Sequence, residues 1–91
     1  MLPKNREPTT PGVLLRDIIS ELGMTQEALA KKMGVGVQTV NLLLNGKRTV
    51  TAETAWALAK TFDMTPEFWM NAQATLDLWR ARPKSEARAG R

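Results

Sequence analysis

Gln38, Thr39 and Asn41 stand close together in Val37–Leu44 (VQTVNLLL), a stretch that carries no charge at all. A carboxamide holds a donor and an acceptor side by side, so a glutamine can bond bidentately to the edge of adenine in the major groove of DNA. Gln38 is the residue best suited to that chemistry. Thr39 can meet a thymine methyl or a phosphate, and Val37 a thymine methyl. Asn41 shares their outward side. Asn45, Lys47 and Arg48 follow directly, and the two cations suit phosphate oxygens, contacts that position a protein on a duplex without reading its sequence. Gln26, further back, suits a phosphate as well, helped by the exposed amides of a helix start. Taken singly, each has an ordinary alternative: an exposed glutamine, or a Lys-Arg pair in a turn, is commonly just solvated.

The framework around these residues lifts them above that alternative. Ala30 is small where two helices would cross, and Gly34, four residues later, permits a positive φ where the chain must turn. Val40 is apolar and would pack a second helix against the first. This spacing predicts a helix-turn-helix over Gln26–Asn45, a motif that holds one helix rigid so that its side chains reach base edges.

The rest of the chain supplies the supporting elements. Thr10-Pro11 is a helix start, with Thr10 as N-cap, and Leu15, Ile18, Ile19 and Leu22 follow at helical spacing before Gly23. Thr25 caps a second helix with Leu29, Ala30 and Met33 inward. A third runs from Val37 to Leu44 with Val40, Leu43 and Leu44 inward, poorly capped by Gly36 and ended by Asn45-Gly46. Thr51 caps a fourth, whose stripe is Ala55, Leu58, Ala59 and Phe62. Thr65-Pro66-Glu67 starts a fifth by the same device as Thr10-Pro11, with Phe68, Trp69, Ala72, Leu76 and Trp79 sharing much of one side. No strand or repeat signal is present. The prediction is an all-α, five-helix domain over residues 11–82, preceded by an extended arm (1–10) and followed by a basic, disordered tail (83–91).

Composition narrows the function. The chain has 91 residues, no cysteine and no histidine. That removes the thiolate nucleophile, disulfides and the commonest general base and metal ligand. Asp17 and Glu21 lie one turn apart but on a surface face, so no catalytic site, metal site or cofactor is expected. No run is long and apolar enough for a membrane span and no signal peptide opens the chain, so a cytoplasmic location is expected. The net charge of +4 sits at the ends. Arg80–Arg91 has five basic residues and one acidic, whereas Arg16–Trp79 has six basic and seven acidic. The high pI therefore does not itself mark the folded part as a nucleic-acid binder.

Four stretches resemble the HigA antitoxins, within the larger xenobiotic-response-element (Cro/CI-like) helix-turn-helix family. Pro11-Gly12 with Leu14-Leu15-Arg16 resembles the family's opening "HPGEILRE". Met24–Ala30 resembles "LTQxxLA". Val40-Asn41 and Asn45-Gly46-Lys47-Arg48 resemble "VNxIINGKR". Thr65–Gln73 resembles "TSPEFWLNLQ", the most specific of the four, and Asp77-Leu78-Trp79 the "YDLW" after it. The resemblance implies a two-part role: binding and silencing a HigB-like (RelE-class) RNase toxin, and repressing the protein's own promoter at an inverted repeat in double-stranded DNA. It also implies a homodimer, for which helices 4 and 5 are the expected surface. Recognition helices of such a dimer would lie about 34–36 Å apart.

The chain departs from the family where it matters for DNA. Relatives commonly carry serine and arginine at positions 36 and 37 and arginine at 39, here Gly36, Val37 and Thr39. Weaker or more salt-sensitive binding is expected, or compensation from the basic tail. Leu42 is also expected to face outward, needing cover from a thymine methyl, a partner or the other subunit. Of Trp56, Trp69 and Trp79, Trp69 is assigned to the core and Trp79 to an interface. Arg6 and Pro8 of the arm are candidates for partner contact. Two alternatives remain: a stand-alone transcriptional regulator, or a toxin-neutralising module with little DNA binding.

Overall fold

The computed structural model describes residues 6–83. Five helices follow in order: α1 Pro11–Leu22, α2 Gln26–Met33, α3 Val37–Leu44, α4 Ala52–Phe62 and α5 Pro66–Ala81. No strand occurs among the described residues. The expected helix boundaries are met. Residues 6–10 are non-helical, while the rest of the arm (1–5) and nearly all of the tail (84–91) lie outside the described residues.

Local chemistry explains the starts. The hydroxyls of Thr10, Thr25 and Thr51 accept hydrogen bonds from the amides of Val13, Ala28 and Thr54, satisfying one of the donors a helix start leaves open. Thr65 does not repeat the device. Its side chain makes no capping bond; its carbonyl takes the Phe68 amide at 3.3 Å instead. With Pro66 fixing φ at the first helical position, the start is set without the hydroxyl.

The ends share a pattern that spacing alone did not reveal. Gly34 stands at φ 74°, and the amide of the next residue, Val35, reaches back to the Ala30 carbonyl at 3.0 Å. Met24 bonds Ile19 in the same way after α1, and Met64 bonds Ala59 after α4. This closure places an apolar residue against the last turn, and Met24, Val35 and Met64 all pack on the core. The turns thus contribute to the interior as well as reversing the chain.

One apolar cluster joins all five helices: Leu15 and Ile19 of α1; Leu29, Ala30 and Met33 of α2; Val40, Leu43 and Leu44 of α3; Ala55 and Leu58 of α4; and Trp69 of α5. Val50, from the α3–α4 connection, completes it. Trp69 is fully buried, as expected, with its ring edge-on to Phe68. Leu22 departs from expectation. It is mostly exposed, at the last position of α1.

Two contacts fix α3 in place. A Cβ on Gly12 would lie 2.5 Å from the Leu43 carbonyl oxygen and 2.8 Å from that of Leu44, so only glycine allows α1 to approach the end of α3 this closely. Gln73, buried in α5, accepts the Val50 amide at 2.9 Å and donates to Asp77 at 2.9 Å. It ties the α3–α4 connection to α5 and leaves neither end of its carboxamide unpaired.

Candidate nucleic-acid interface

Helical spacing puts Val37, Gln38, Asn41, Leu42 and Asn45 on one side of α3, opposite the buried Val40, Leu43 and Leu44. Four of them, Val37, Gln38, Asn41 and Leu42, line a shallow open concavity together with Gln26 from the start of α2. The structure therefore brings Gln26, ten or more residues away in sequence, to the face that α3 presents. Thr39 is not part of it. It turns to the flank of α3 and is half-buried.

A one-way chain of hydrogen bonds borders this face. The Arg16 guanidinium donates to Asn45 Oδ1 at 3.1 Å and to the Leu44 carbonyl at 3.2 Å. Asn45 Nδ2 donates to Asn41 Oδ1 at 3.2 Å, and Asn41 Nδ2 donates to Gln26 Oε1 at 3.4 Å. Each amide orients the next, so the order ends with the Gln26 oxygen engaged by Asn41 and its amino group left as the donor it can offer. The same guanidinium places a cation at the C-terminus of α3, where the helix dipole and its unpaired carbonyls favour one. Sequence reasoning missed this role for Arg16. Its partners lie 28 and 29 residues away, and the only signal was its place in the Leu14-Leu15-Arg16 stretch.

Gln38 is exposed and has no hydrogen-bond partner among the described residues, so both ends of its carboxamide are available. Val37 and Leu42 are 41% and 37% exposed, as expected for Leu42. At the start of α3, Gly36 offers no side chain; its carbonyl takes the Thr39 amide at 3.0 Å, and the amides of Val37 and Gln38 ahead of it are the open donors of the helix start. Lys47 and Arg48 are exposed beyond the Gly46 turn and in no ion pair among the described residues. Neither lines the concavity. Arg48 also borders a narrower recess between Thr10, Gly12, Val50 and Gln73.

The remaining aromatic and charged groups lie elsewhere. Trp56 is 59% exposed on α4 and Leu78 64% on α5. Trp79 is half-buried, with Arg82 stacked 3.7 Å from its ring centre, so Trp56 rather than Trp79 is the openly exposed tryptophan. In the arm, Glu7 pairs with Arg80 of α5.

A short helix, a glycine turn and a second helix that holds a mixed amide and apolar face to solvent define a helix-turn-helix domain. The helix-turn-helix family model matches residues 15–69. Antitoxin HigA-1 of Vibrio cholerae is 39% identical over 90 residues, covering 98% of this chain and 85% of the relative. YbaQ of Escherichia coli strain K12, an uncharacterised HTH-type transcriptional regulator, is 42% identical over 80 residues, covering 87% of this chain and 71% of the relative. The solved structure of the Pseudomonas aeruginosa antitoxin HigA with the higBA promoter superposes with a TM-score of 0.82 at 32% identity, covering 91% of each chain. The chain belongs to the helix-turn-helix family and, within it, to the HigA-like antitoxins.

Proposed function

We propose that this chain is the antitoxin of a toxin–antitoxin pair, acting by binding rather than catalysis in the cytoplasm. It silences a HigB-like RNase and represses its own promoter at an inverted repeat. The observation that carries the DNA half is the outward face of α3, where Gln38 stands free between Val37 and Leu42 and Gln26 is oriented as a donor beside it. Gln38 reads a base edge, Gln26 and the open amides of α3 take phosphates, and Lys47 and Arg48 set the register. Asn41 and Asn45 act on the same interface by orienting Gln26. Thr39, at the flank, meets backbone rather than base.

Apolar groups exposed on α4 and α5, Trp56, Phe68, Met70 and Leu78, support a homodimer through those helices. The α3 face lies on different residues, so DNA and protein partners need not compete. The relative named as a transcriptional regulator favours a second reading, regulation without a toxin. Purification with the adjacent gene's product separates the two.

Few cations face the DNA, which fixes the expected salt response. Lys47 and Arg48 on each of two subunits give about four phosphate contacts, hence a slope of log Kobs against log salt of about −4. A small number of phosphate contacts flattens the salt dependence, so the uncharged α3 argues for weak binding rather than unusually salt-sensitive binding. Gel shifts on the protein's own promoter at two salt concentrations measure this. Absence of a shift at low salt, with or without toxin, leaves only the toxin-neutralising role.

A further inference from the structure

We propose that α3 selects A·T pairs, and that it does so largely through the C5-methyl groups of thymine, gripped by Val37 and Leu42. The proposal rests on the DNA-binding reading above and names the base chemistry that reading leaves open. Three observations lead to it. First, α3 carries no cation, Arg16 at its C-terminal end is committed to Leu44 and Asn45, and Lys47 and Arg48 lie beyond the helix and outside the lining of the concavity. The commonest guanine contact, an arginine or lysine on O6 and N7, is therefore not available from this face. Second, Asn41 uses its oxygen for Asn45 and its amino group for Gln26. Gln38 alone among the residues of the concavity has a complete carboxamide to offer, and the bidentate partner of a carboxamide is adenine.

Third, the two ends of the same concavity are apolar. Val37 and Leu42 flank Gln38 and Asn41 there, and both are more than a third exposed. In the major groove the apolar group a base pair presents is the thymine methyl. An adenine on Gln38 with thymine methyls against Val37 and Leu42 would cover three of its five lining residues, leaving the mutually bonded Gln26 and Asn41. The open amides at the start of α3 and the nearby Lys47 and Arg48 make a duplex, rather than an apolar protein surface, the matching occupant.

The test uses the full-length protein and a duplex of its own promoter. Every thymine in the protected half-sites is replaced by deoxyuridine, which removes the methyl and nothing else. Burial of one methyl corresponds to about 0.8 kcal/mol, or about four-fold in affinity, so binding should weaken about four-fold for each methyl contacted. Val37→Ala and Leu42→Ala, both at exposed positions and checked for helicity by circular dichroism, should lose that sensitivity. Replacing a contacted thymine by cytosine should weaken binding, and 5-methylcytosine at the same place should recover part of it. Equal binding to the thymine and deoxyuridine duplexes would overturn the proposal while leaving DNA binding intact. A change of oligomeric state in Leu42→Ala with deoxyuridine sensitivity unchanged would overturn it too, by assigning Leu42 to a second subunit. No binding to the unmodified promoter would remove the DNA-binding reading itself.

Discussion

Gln73 shows how one side chain can hold two segments that sequence proximity does not connect. Its oxygen is the acceptor for the Val50 amide, 23 residues away. Truncation to alanine strands that buried donor, at a cost of about 1–3 kcal/mol. Urea denaturation of Gln73→Ala should show this loss, and an unchanged midpoint would mean that the amide finds another acceptor. The Glu7–Arg80 pair behaves differently because both groups are exposed. The Arg80 guanidinium holds the Glu7 carboxyl below its ordinary range, chiefly by the hydrogen bond, which outweighs the opposing effect of desolvation, with charge attraction adding the least. A carboxyl whose pKa is lowered on folding contributes above its unfolded pKa, and the contribution is lost as pH falls through the folded value. The arm should therefore stay docked at neutral pH and release in acid. NMR titration should place Glu7 below the usual carboxylate midpoint, and Arg80→Ala should bring it back up. An unchanged midpoint would show that the pair does not persist in solution. Neither Gln73 nor Arg16 betrays its task in the sequence, since each depends on a distant backbone group.

At the scale of elements, the approach of α1 to the end of α3 sets the angle at which α3 is presented. Gly12→Ala would press a methyl against the Leu43 and Leu44 carbonyls. The backbone must move, at a cost of about 1–3 kcal/mol, and Arg16, one turn later, loses its aim at Leu44 and Asn45. Thermal unfolding should show a lower Tm, with promoter affinity falling more than stability alone explains. A variant with unchanged Tm would mean that α1 and α3 are less closely locked than the contact implies. Helix boundaries were legible because their causes are local: a threonine hydroxyl, a proline at the first position and a glycine with positive φ act within four residues. The same locality misled at Thr65, where Pro66 and the Thr65 carbonyl suffice. It also hid Met24, Val35 and Met64, whose burial follows from closing the turn and not from any helical stripe.

For the whole molecule, the proposed function assigns DNA to the α3 face and a second subunit to α4 and α5. The exposed Trp56 and Leu78 lie on α4 and α5, the two helices proposed as the dimer surface. Replacing Leu78 by glutamate should convert a dimer to a monomer in light scattering and weaken operator binding, which needs two half-sites. A variant that remains dimeric would move the interface off α5. The candidate DNA face was legible in most of its members, because one helix period gathers Val37, Gln38, Asn41 and Leu42. Thr39 misled because Gln38 before it is outward, while Thr39 itself turns to the flank beside the buried Val40. The central claim, that α3 reads DNA through Gln38, is tested most directly by measuring the affinity of Gln38→Ala for the protein's own promoter and for operators altered one base pair at a time. The expected result is a loss of about 1–3 kcal/mol on the native operator, with discrimination relaxed at a single base pair in each half-site. An equal loss on every sequence, or no loss, would contradict it.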